Sequence, residues 1–68
     1  MSKDTARKIA SDDRISINQI EVACAYMTEK ITSAQADKEP FPFLAYRNLR
    51  IFEAALALKL QATLASKP

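Results

Sequence analysis

Glycine and histidine are absent from this sequence, and cysteine and valine occur once each, at Cys24 and Val22. Without glycine there is no phosphate-cradling loop of the Walker or dinucleotide type, and no strand or hairpin-turn signal anywhere in the chain. Without histidine the familiar imidazole base is missing, and a structural zinc site has almost no ligands to draw on. A single cysteine rules out an internal disulfide. Catalysis, cofactor, metal and a small-molecule substrate are therefore not expected. No apolar run approaches the length of a membrane span, and the leading MSKDTARK has no hydrophobic signal region, so the expectation is a cytoplasmic protein with no membrane contact. Ten basic residues against eight acidic ones give a net charge of +2, too weak a field to argue for nucleic acid by itself.

At 68 residues the chain has room for one domain. Below roughly 70–80 residues a lone core seldom supplies more than ~3–5 kcal/mol unless disulfides, metal or association assist it. With the first two excluded, association with another chain is expected. Apolar residues make up 49% and charged residues 26%, which is the composition of a folding globular chain. Alanine, leucine, isoleucine and lysine dominate, so the fold class is all-α.

Residues 1–15 form either a polar N-terminal arm or a short helix, with Ala6, Ile9 and Ala10 as apolar positions in its first ten residues. Ser16 and Gln19 fit a capping box, and Ile15 and Ile20 flank it as a hydrophobic staple, which starts a helix near Ile17. Ile17, Ile20, Cys24, Met27, Ile31 and Ala34 then recur at spacings of three and four and share one stripe. Cys24 sits mid-stripe with no basic neighbour and reads as a small core residue. Pro40 and Pro42 break the helical pattern, so the first helix covers about 17–38 and the EPFPF connector follows. Pro42 suits the opening turn of a second helix over about 42–66. So short a connector makes residues 16–66 an antiparallel two-helix hairpin.

The second helix carries two apolar sides. Tyr46, Leu49, Phe52, Leu56, Leu60 and Leu64 occupy one, and Leu44, Ile51, Ala55, Leu58 and Ala62 the other, with Asn48 on the second strip. The large-residue side matches the stripe of the first helix. The other side, small-residued and heptad-spaced, is the expected seam of a homodimer with a four-helix arrangement. Asn48 either fixes register there or stays solvated. The competing arrangement folds the N-terminal arm over the same face. Glu53 sits awkwardly at the edge of the large-residue side unless Arg50 or a residue of the first helix pairs with it.

In the connector, Phe41 and Phe43 either fold inward against Ala34 and Leu49 or leave one ring outside as a preorganised anchor. Arg47 and Arg50 are either a solvated stripe or the rim of a protein contact. Phe41, Phe43, Arg47 and Arg50 are thus the candidate partner-binding residues. The function expected is a protein-protein interaction module, an inhibitor or adaptor acting on another protein. The alternative is a DNA-binding regulator in which residues 6–26 form a helix-turn-helix with residues 16–26 as reader, supported by Lys3, Arg7, Lys8 and Arg14. Asp12, Asp13 and Glu21 would repel phosphate in that arrangement.

Tyr46-Arg47 leading through Phe52-Glu53 into AALAL at residues 54–58 resembles the second helix of a small quorum-sensing anti-activator family of Pseudomonas Mu-like phages. That resemblance implies a dimeric helical hairpin, phage-encoded, that binds and inhibits a host regulator. It does not extend to the first helix or to EPFPF. Type III secretion co-chaperones are also similar in length and hairpin shape.

Overall fold

The computed structural model describes residues 2–65. The chain is all-α, with α1 at Ser2–Ser11, α2 at Ile17–Ala36 and α3 at Phe43–Ala65. The end of the second helix expected at residue 66 lies outside the described residues. α2 and α3 pack side by side, but the fold is not the two-helix hairpin expected: the N-terminal segment is a third helix. α1 and α2 each pack against α3 and not against one another, giving a particle of 49 × 23 × 17 Å with α3 as its spine.

Local chemistry explains each helix end. Asp4 lies in the first turn of α1 and Lys8 in the last, both favourable to the helix dipole. The Ser11 hydroxyl closes that helix by donating to the Arg7 carbonyl at 2.8 Å. Ser16 caps α2 as a full capping box: its Oγ accepts from the Gln19 N–H at 3.1 Å, and Gln19 Oε1 accepts from the Ser16 N–H at 2.8 Å. α2 stops at Ala36, earlier than the expected residue 38, because a Schellman turn ends it before the prolines act. Glu39 N–H donates to the Ala34 carbonyl at 2.9 Å and Lys38 N–H to Gln35 at 3.3 Å. With no glycine to take the left-handed position, Lys38 adopts it at φ 57°, which costs on the order of 1 kcal/mol. Pro42 then acts as the cap of α3, its carbonyl accepting from Tyr46 N–H at 3.0 Å.

The core is thin. Ile20 is the only large side chain among the described residues that is fully enclosed, joined by Met27, Ala34, Ala6 and Ala55. On α3 the sheltered positions are Ala45, Asn48, Leu49, Ile51, Phe52, Ala55, Leu56 and Lys59. At ~100° per residue they form one arc of about 160°. The inner members of the two apolar sides, Leu49, Phe52 and Leu56 on one and Ile51 and Ala55 on the other, therefore meet in a single face that α1 and α2 share, while Tyr46, Leu60 and Leu64 stay exposed.

The residues of the expected dimer seam are unequally exposed in the single chain. Ala55 is 0% exposed within the single chain, Asn48 and Ile51 are half-buried, and Leu58 is 37% exposed at the edge of α1, while Leu44 and Ala62 stand in solvent. α1 succeeds as a cover because alanines allow close helix approach: Ala6, on its inner side, is as completely enclosed as Ala55. Its ten residues reach about 15 Å along an α3 of about 35 Å, so it cannot shield the whole strip.

Candidate docking surface at the elbow

The connector brings three rings together. Phe41 and Phe43 meet edge to face with centroids 4.8 Å apart, and Tyr46 lies tilted against Phe41 at 5.7 Å. Phe43 N–H donates to the Phe41 carbonyl at 2.9 Å around Pro42, so the two rings are set by a tight, proline-bounded turn. Phe43 does not take the inward arrangement over Ala34 and Leu49. Phe41 is 39% exposed and Phe43 73%. The reason is angular: as the first residue of α3, Phe43 falls on the side of that helix opposite the buried arc, so no neighbouring helix lies above it.

Arg47 and Arg50 follow Phe43 on the same outer side, both exposed. Arg50 Nη1 lies 3.5 Å from Glu53 Oε1, which resolves the awkward placement of Glu53 through a surface pair. Such an exposed pair contributes little stability. Tyr46 was assigned from the sequence to the face that packs on the preceding helix; it joins the ring cluster instead. Its position three residues after Phe43 was the available signal, since residues so spaced are neighbours on a helix surface.

On the inner side of the elbow, an open cavity of about 430 Å³ is lined by Tyr26, Glu29, Lys30, Ser33, Glu39 and Pro40, among others. Lys30 Nζ stands 5.3 Å from the Tyr26 ring centre. At the far end of the molecule the turn between α1 and α2 is tied by charge. The Asp12 carboxylate accepts from Arg14 Nε at 3.0 Å, Nη2 at 2.9 Å and backbone N–H at 2.9 Å. These bonds, the side-chain ones first, hold the Asp12 carboxyl below its usual range and raise the Arg14 guanidinium. Lys59 donates from Nζ to the carbonyls of Ala10 at 3.0 Å and Asp12 at 3.1 Å, satisfying acceptors that the end of α1 leaves open.

Cys24 is half-buried, and burial first, then Glu53 and Glu21, pushes its thiol pKa up, the opposite of what a nucleophile needs. Among the described residues no group of three or more histidine, cysteine, aspartate or glutamate side chains converges, and no helix is long and apolar enough to cross a membrane. No protein-family model, no curated protein and no solved structure matches the chain.

Proposed function

We propose that this chain is a small, non-catalytic protein-protein interaction module, an inhibitor or adaptor, that docks by seating its elbow rings in a pocket of a partner protein. The supporting observation is the exposure of Phe41 and Phe43, set on either side of Pro42 and followed by Arg47 and Arg50. Burying a large apolar side chain yields about 1.5–3 kcal/mol, and two rings already held in place lose little freedom on binding. Aromatic residues and arginine are also the types enriched at interface hot spots. In this reading the partner is a host regulatory or assembly protein, the class that the likeness of residues 46–58 to a phage anti-activator implies.

The four-helix homodimer is not carried into this reading, because α1 encloses Ala55 in the middle of the strip such a dimer would use. The DNA-binding alternative gains no support either: α1 and α2 do not pack together as a helix-turn-helix pair does, and Arg14 is engaged by Asp12. The test is a photo-crosslinking residue placed at position 43 or, as control, at the exposed position 22 on α2, in cells that express the protein. A discrete protein adduct at 43, absent at 22 and lost on Arg47→Glu, is the expected result. Identical adducts at both positions, or none at 43, would refute the reading.

A further inference from the structure

A second surface runs down the outer side of α3, beyond the elbow. Arg47, Arg50, Ala54, Ala57, Gln61 and Leu64 recur at alternating spacings of three and four, and every one of them is exposed. That is the spacing of a helix-pairing seam, displaced around the helix from the Ile51–Ala55–Leu58 strip that α1 covers. Beside its lower half α1 forms a wall, leaving a groove of about 390 Å³ lined by Lys3 and Arg7 of α1 and by Ala54, Ala57, Leu58 and Gln61 of α3. The floor is small and apolar and permits close approach of a helix. No acidic side chain lines the groove. Glu53, the one acidic residue of α3, is paired with Arg50, and on α1 Asp4 stands between Lys3 and Arg7 in sequence without lining the groove.

We infer that this groove receives an acidic amphipathic helix of a partner protein, its apolar face on Ala54, Ala57 and Leu58 and its carboxylates toward Lys3, Arg7 and Arg47. Charge selects the occupant. A second copy of this chain would bring the same cations to the same strip and be repelled. Nucleic acid would answer the cations but leave the alanine floor uncovered, and a net charge of +2 gives it little attraction. The inference rests on the interaction-module reading only in that the occupant is a protein, and it concerns a different surface from the rings.

The test uses the full chain and fluorescence anisotropy with three labelled probes. One is a designed amphipathic helix of about 20 residues with leucine and alanine on one face and glutamate on its flanks. The second replaces each glutamate by lysine, and the third is a short DNA duplex. The glutamate peptide should bind at least tenfold more tightly than either of the others, and raising the salt should weaken it, as exposed charge pairs require. Ala57→Glu, a change at an exposed position, should reduce that binding at least tenfold, and Arg7→Gln should reduce it severalfold. Val22→Ser, on the far side of α2, should leave it unchanged. Circular dichroism of each variant confirms that the helices remain. Equal binding of the two peptides, tighter binding of DNA, or indifference to both Ala57→Glu and Arg7→Gln would overturn the inference. The elbow is read at residue 43 and the groove at residue 57, so either can fail while the other stands.

Discussion

The two halves of α3 differ in how many helices lie beside them, although each leaves large apolar side chains exposed: Phe43, Leu44 and Tyr46 in one, Leu60 and Leu64 in the other. Its C-terminal half lies against the start of α2 on one side and α1 on the other, so that Ala55 is fully enclosed and Lys59 reaches the last carbonyls of α1. Its N-terminal half has only the end of α2 beside it, and Phe43, Leu44 and Tyr46 remain in solvent. Sheltered positions run through both halves, from Ala45 to Lys59, but only the C-terminal half has α1 as a second cover. The elbow end holds large rings in water, an arrangement that contributes little to folding and leaves them open to the proposed docking.

The strongest way to break that contrast is at the stabilised end. Ile20→Ala should destabilise the chain by about 2–5 kcal/mol, measured by urea unfolding, because it empties the centre of a core with no spare volume to collapse into. In so small a domain that loss leaves little folded protein. Lys59→Met keeps the apolar stem but removes two charge-assisted hydrogen bonds. It should cost about 1–2 kcal/mol, discounted for the partial exposure of the ammonium. Hydrogen exchange should quicken along α1 while the α2–α3 pair keeps its protection. Uniform quickening across all three helices would show that α1 is integral to one cooperative unit rather than an attached cover.

Much of the hairpin was legible because its signals are local. Ser16 and Gln19 act on each other across one turn, and the Ile20-Cys24-Met27 stripe needs only helical spacing to be seen. The docking of α1 was legible only as the competing arrangement, since choosing it depends on Lys59 meeting carbonyls 47 and 49 residues away in sequence and on the enclosure of Ala6 and Ala55. Neither has a pattern in the chain. The same absence left the cover of the seam residues open: Ile51 and Ala55 look alike in sequence whether sheltered by a second chain or by α1 of their own. Lys38 in a left-handed conformation was hidden because a chain without glycine gives no mark at such positions. At the candidate site, the identities of Phe41, Phe43, Arg47 and Arg50 were readable. The direction of the rings was not, since it follows from where α3 begins relative to its buried arc.

The central claim is that the elbow rings are not part of the core, and the most direct measurement is the unfolding free energy of Phe43→Ala in urea. A ring that is 73% exposed should be removable for less than about 1 kcal/mol in either direction, with helicity unchanged. A loss of about 3 kcal/mol or more, the usual consequence of truncating a buried phenylalanine, would place the ring in the core and contradict the account.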